Sequence, residues 1–328
     1  MSFNQYTWDL YKQTTIGIEM IKYFSDAGGY VLFKDYCPYA NFIPEDLYND
    51  WLENIYCYGV SDYDHPSSLE EAKDLYISLI TLGIRVEGQQ WLPANDFKNM
   101  LGIIQPMSYV LSQFAPEYFF PYLFLCRIFE LNKIADFFNI DLPNIPKRTD
   151  YKGRCMYYWE LCEVFYLFRK ENGLSPADLW SFLYDFAPNN LPSEKIDMPK
   201  PSQVWFIGGR LYQEDKSLES KFWQSSPETK KGDILVHYET SPISAITCIE
   251  ISLTDGVIDP LFRYYGCIYI GNRINIPHIT LKELQTDEYF FKHPLVRKNF
   301  QGVNGWSVNS ENYSELLRMI KTKGFDIE

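Results

Sequence analysis

Apolar positions recur at helical spacing through the first 190 residues and change to strand-like alternation after residue 200. Ile16 to Phe24 is apolar at three- and four-residue intervals and stops near Gly28 and Gly29, the pattern of an amphipathic helix. Pro44-Glu45-Asp46 starts a second helix, with acid in the first turn, where the helix dipole favours it. Ser68-Leu69-Glu70-Glu71 has the form of a capping box, and the helix it opens runs through Leu75, Ile77, Leu79 and Ile80 to a stop at Gly83. Asn95 or Asp96 caps the next, with Met100, Leu101, Ile103 and Ile104 apolar. Tyr118 to Phe138 is too apolar for a surface helix and reads as the buried central one. Met156 to Phe168 follows, and Ser175-Pro176-Ala177-Asp178 then opens a helix with Leu179, Trp180, Phe182, Leu183 and Phe186 on its apolar side. No solenoid-length repeat is present, so these helices are expected to form one irregular α domain.

The run Pro188 to Pro201 is rich in Pro, Asn and Ser and has linker composition. Beyond it Gly232-Asp233 signals a turn, after which Ile234, Val236 and Tyr238 alternate with Leu235 and His237, a strand with side chains on both faces. A polar turn, Glu239-Thr240-Ser241-Pro242, leads to a second strand at Ala245 to Leu253, and Arg263 to Ile270 is a third. Strands joined by short turns predict a small barrel or curled antiparallel sheet. Thr280-Leu281-Lys282-Glu283 and Asn309-Ser310-Glu311 open short helices, the second with Leu316, Leu317 and Ile320 facing inward. The expected class is α+β: an all-α domain over residues 1–190, a linker over 191–201, and a β-barrel domain with short helices over 202–328.

The order of a Gly-Asp turn, a strand ending Tyr238-Glu239-Thr240-Ser241, and a second strand, preceded by Val204-Trp205-Phe206-Ile207 and a lone Trp223, resembles the EVE domain, a relative of the PUA and YTH folds. Ile279 to Leu284 and Pro294 to Phe300 fit the same pattern. The resemblance covers residues 202–322. It implies a PUA-like barrel and a reader of modified nucleic-acid bases, of the kind that in bacteria is often fused to restriction or defence modules.

Net charge sharpens this division. The whole chain carries −13, which opposes binding to a polyanion. Residues 200–328, however, hold 15 Lys+Arg against 16 Asp+Glu, leaving 15 against 27 for the first 199. The acid therefore belongs to the helical part, which is expected to contact protein or to confine nucleic acid to the other domain. Aromatic residues make up 17% of the chain, material for cores and for recognition surfaces alike.

An extruded base needs stacking partners and a polar rim that discriminates its substituents. Trp205, Phe206, Trp223 and Tyr238 offer the walls, Thr240 and Ser241 the polar contacts, and Arg297, Lys298 and Asn299 contacts to phosphate or sugar, which position a ligand without reading it. The expected base-binding pocket is Trp205, Trp223, Tyr238, Thr240 and Ser241.

Catalytic motifs are absent: there is no G-x-x-x-x-G-K-[ST], G-x-S-x-G, H-E-x-x-H or G-x-G-x-x-G. The seven cysteines form no C-x-x-C pair, and His65, His237, His278 and His293 lie at no metal-ligand spacing. No metal and no cofactor is expected. Glu160 and Glu163 share a helix face on either side of Cys162 and represent the alternative, a nuclease or other enzyme in the helical domain. A third alternative is a protein-interaction module without nucleic-acid binding. The start of the chain lacks a signal-peptide pattern, and the charge-free run Asn99 to Pro116 is broken by Gln105, Pro106, Ser108, Ser112 and Gln113. A cytoplasmic protein is therefore expected, with a modified-base nucleic acid as partner, a protein partner for the acidic domain, and no membrane.

Overall fold

The computed structural model describes residues 3–37, 40, 43–86, 89–191, 198–210, 221–262 and 266–327. The chain is mixed α+β and divides into two compact units, Met1–Ser193 with Asp259–Tyr264, and Glu194–Ile258 with Tyr265–Glu328. Part of the expected linker, residues 192–197, and the start of the expected third strand, residues 263–265, lie outside the described residues.

In the first unit the helices begin where side chains satisfy their free N–H groups. Asn4 accepts from Thr7 N, Ser68 from Glu71 N and Asp150 from Gly153 N, and Ser175 with Asp178 forms a reciprocal capping box. Helix Leu69–Leu82 stops at Gly83, whose φ of +78° and 2.1 Å approach of a hypothetical Cβ to Leu92 O leave no room for a side chain. There the chain turns into a two-stranded antiparallel hairpin, β1 (Ile84–Val86) and β2 (Gln89–Leu92). This hairpin departs from the all-α expectation.

The apolar run Tyr118 to Phe138 is a helix only over Ile128–Phe138. Its first half is a buried irregular segment carrying Pro121, and Phe119, Phe120, Tyr122, Leu123 and Phe124 are all at most 1% exposed. Buried backbone outside a helix or sheet needs other partners. Side-chain hydroxyls supply them: Tyr158 OH donates to Phe120 O, Tyr184 OH donates to Pro121 O and accepts from Leu123 N, and Ser108 Oγ accepts from Tyr122 N. Two buried tyrosines, Tyr158 and Tyr184, serve this purpose.

Residues 259–262 fold with the helical unit although strands of the other unit flank them in sequence. Arg154, on helix Tyr151–Glu171 and 5% exposed, donates to Pro260 O at 2.8 Å and Phe262 O at 2.7 Å. Among the described residues no helix is long and apolar enough to cross a membrane.

The second unit is a curled seven-stranded sheet: β3 (Val204–Gly209), β4 (Lys221–Ser225), β5 (Ile234–Glu239), β6 (Ala245–Ser252), β7 (Val257–Ile258), β8 (Gly266–Thr280) and β9 (Trp306–Val308). The strand order is β4-β8-β6-β5-β3-β9, with β7 beside β8. Among the described pairings of this sheet, only β3 and β5 run parallel. The long β8 pairs first with β4 and then with β6, carrying the sheet around its bend.

Alternation along β5 splits the sheet into two faces. Val236 and Tyr238 join Phe206, Leu284, Leu295 and Leu316 in the core under helices Leu281–Thr286 and Ser310–Thr322. Leu235 points the other way, into a second cluster with Trp205, Ile207, Ile268 and Ile270. The Gly232-Asp233 turn is fastened by its carboxylate: Asp233 Oδ1 accepts from Ser202 N, Ser202 Oγ and Gln203 N, and Oδ2 from Lys230 N and Trp205 Nε1. Burial works to raise the Asp233 pKa, and these donors outweigh it, holding the carboxyl below its usual value.

Candidate functional site

The inner face of the curled sheet carries a polar cluster at one end of its apolar floor. His237 on β5 is fully buried, and its Nδ1 sits 3.0 Å from Glu250 Oε2 on β6. Glu250, 2% exposed, in turn accepts from Arg273 Nε at 2.9 Å and a terminal guanidinium nitrogen at 2.7 Å, both on Oε1. Register shifts in β6, between Ile246 and Cys248 and between Ile249 and Ile251, bracket the pair, and such bulges re-aim side chains. Opposite them β8 carries Asn272 at φ +51°, next to Arg273.

A buried carboxylate is tolerated here because two donors hold it. Burial raises the Glu250 pKa, but the His237 hydrogen bond and the Arg273 charge prevail, so it lies below the ordinary carboxyl value. His237 Nε2 has no hydrogen-bond partner. A buried polar atom left unpaired is unusual enough to require a reason.

Trp223 covers this cluster. Its ring is half-buried, lies 4.6 Å from the His237 ring at 63°, and donates from Nε1 to Asn304 Oδ1 at 3.3 Å. Asn304 Oδ1 also accepts from Gly208 N at 2.7 Å, so one amide oxygen links β3 to the β4 tryptophan. Gly209 makes the approach possible, since a Cβ there would lie 2.5 Å from Trp223 Cζ2.

His237, Cys248 and Glu250 offer ligand atoms within 4.8 Å of one another, a spacing a metal could bridge. Both Glu250 oxygens are already engaged, by His237 and by Arg273, and burial pushes the Cys248 thiol up to about 12. A metal there would have to displace the thiol proton and compete with these hydrogen bonds.

The expected pocket residues do not come together. Trp205 is 2% exposed and donates its indole N–H to Asp233, so it is core, not a free stacking surface. Tyr238 is 3% exposed and lies on the opposite face of the sheet, its ring parallel to Phe300 with centroids 4.0 Å apart. Phe206 shares that core. Thr240 is half-buried, with its N–H on Gly209 O, and Ser241 is exposed, accepting from Arg210 Nε through its carbonyl. Arg297, the last residue of helix Pro294–Arg297, and Lys298 and Asn299 just after it are exposed together, and Asn299 Oδ1 accepts from Gln285 Nε2. From there the chain runs five residues on to Asn304, beside Trp223.

Sequence reasoning does not single out Glu250, Arg273 or Asn304, and it gives His237 no role in the site. The available signal is a charged residue inside an apolar strand, Ile249-Glu250-Ile251, with His237 on the same strand face as Leu235. In the helical unit Glu160 and Glu163 line an open surface groove with Asp141, Asp150, Ile145 and Leu167, and Glu163 lies 3.9 Å from Lys73.

No protein-family model and no curated protein matches the chain. Among solved structures, the NMR structure of Rpa0253 from Rhodopseudomonas palustris is similar over 37% of this chain and 94% of that one, with 12% identity and a TM-score of 0.32. A likeness of that size assigns no fold.

Proposed function

We propose that the second unit is an EVE-like, PUA-related domain that reads a modified base in nucleic acid without catalysing a reaction, in keeping with a restriction or defence role. The observation that carries this reading is the half-buried Trp223 ring set over the His237–Glu250–Arg273 network on the inner face of the curled sheet. An aromatic face gives sequence-tolerant stacking of about 1–3 kcal/mol per base. A rigid polar floor beneath it discriminates substituents, because a wrong base leaves its groups unpaired. Asn304 accepts the indole N–H, and Gly209 leaves room for the ring. Arg297 and Lys298, exposed on the same polypeptide segment as Asn304, supply backbone contacts.

Calorimetric titration of oligonucleotides with and without a modified cytosine or adenine tests the reading. Tighter binding of one modified form supports it, and failure to bind any of them at low salt removes it. A protein-contact role for the helical unit has separate support: Ile145 and Leu167 are 45% and 61% exposed along a groove bordered by Asp141, Asp150, Glu160 and Glu163, an apolar surface with an acidic rim.

A further inference from the structure

We infer that His237 is a specificity-determining residue whose Nε2 accepts a hydrogen bond from an exocyclic amino group of the bound base, which restricts the ligand to the amino-bearing bases cytosine, adenine and guanine and excludes thymine and uracil. The inference rests on the base-reading function proposed above and adds the chemistry of the group that is read.

The buried carboxylate sets the tautomer of the histidine. Glu250 is held ionised by two donors from Arg273, and an ionised carboxylate only accepts. The nitrogen facing it, His237 Nδ1, therefore carries the proton, and in the neutral ring Nε2 presents a lone pair. That lone pair is buried and unanswered. No described polar atom pairs with it, and Leu235, on the same strand face, belongs to the apolar cluster with Ile268 and Ile270.

The ring above it is the cover that an entering base has to displace. Trp223 lies on β4, which ends the strand order, and its indole hydrogen bond to Asn304 is long at 3.3 Å. Displacement of this ring by an entering base exposes Nε2 and leaves the indole free to stack. An acceptor-lined floor then selects the base donor that projects beyond the ring. An exocyclic amine, present on cytosine, adenine and guanine, does so, whereas the ring N–H of thymine or uracil is flanked on both sides by carbonyl oxygens. Arg273 and Glu250 act through His237 as positioning residues, fixing its tautomer as second partners fix an imidazole elsewhere.

The test uses the full chain and single-stranded oligonucleotides carrying 5-methylcytosine or N6-methyladenine, alongside the same strands with the exocyclic nitrogen fully dimethylated. The expected result is that dimethylation weakens the preferred ligand roughly 5- to 150-fold, the discrimination of one good base contact, and that His237→Phe binds both forms equally. Equal binding of both forms by the unaltered protein overturns the inference alone. Discrimination that persists in His237→Phe also overturns it, because the rejection is then steric. Absence of binding to every strand removes the base-reading function, and this inference with it. Nitrogen-15 NMR of the four histidines keeps the question open to refutation if His237→Phe fails to fold. A free-state His237 with Nδ1 protonated and an Nε2 resonance that moves on saturation with ligand is expected, and an Nε2 that carries the proton or does not move contradicts it.

Discussion

Asp233→Asn isolates the device on which the second unit is hung. The carboxylate accepts five hydrogen bonds, three on Oδ1 and two on Oδ2, and the residue is 1% exposed. An amide in its place turns one oxygen into a donor. Whichever way it is seated, at least two N–H groups then face an NH2 group. A hydrogen bond to a charged partner contributes about 1.5–3 kcal/mol, so two lost bonds put the expected destabilisation at roughly 3–6 kcal/mol. Urea denaturation monitored by hydrogen exchange of β5 and β6 peptides reads the loss in the correct unit. The pH dependence has a definite sign: a carboxyl whose folded pKa is depressed contributes stability above its unfolded value of about 3.9, and that contribution disappears as pH falls through the folded value. The gap between the two proteins should be full at pH 7 and shrink below about pH 4. A loss under about 1 kcal/mol at pH 7 would refute the reasoning, since it is no more than a typical neutral hydrogen bond.

Trp205→Ala should destabilise the second unit by about 3–5 kcal/mol in denaturant titration, the range for a buried aromatic, whereas a surface-like loss under about 1 kcal/mol would return Trp205 to the pocket. Asp259 has its carboxyl pushed up to about 7 by complete burial, above its unfolded value, so the helical unit should lose stability as pH rises from about 4 to 7, and Asp259→Asn should flatten that slope in thermal melts. Arg297→Ala should weaken modified and unmodified oligonucleotides alike and lower the salt-dependence slope by about one phosphate, measured by titration at several salt concentrations.

The division between helices and strands is legible because the predominant hydrophobic period is 3.6 in the helices of the first unit and 2 in the strands of the second. Caps at Ser68, Ser175 and Thr280 follow from local chemistry and are present as hydrogen bonds. Tyr118 to Arg127 reads as helix and is not one, because burial on all sides looks the same in sequence whether the backbone is helical or pinned by distant hydroxyls from Tyr158 and Tyr184. The folding of residues 259–262 with the helical unit depends on Arg154, more than 100 residues earlier, and no local pattern reports such a pairing. Within the candidate site, Trp223 is legible as an isolated aromatic. Trp205 and Tyr238 are not separable from it, because a tryptophan bonded to a buried aspartate and a tyrosine stacked on Phe300 have the same composition as a pocket wall. His237 has no visible partner in sequence, since Glu250 and Arg273 reach it across a sheet whose register is shifted by bulges.

The most direct measurement is the affinity of the unaltered protein and of Trp223→Ala for one oligonucleotide with and without its base modification, taken side by side with thermal melts. Trp223→Ala is expected to remain folded, lose about 1–3 kcal/mol of binding to the modified strand, and retain the weak binding to the unmodified one. Unchanged affinity for the modified strand in a folded Trp223→Ala protein would contradict the base-stacking role of this ring.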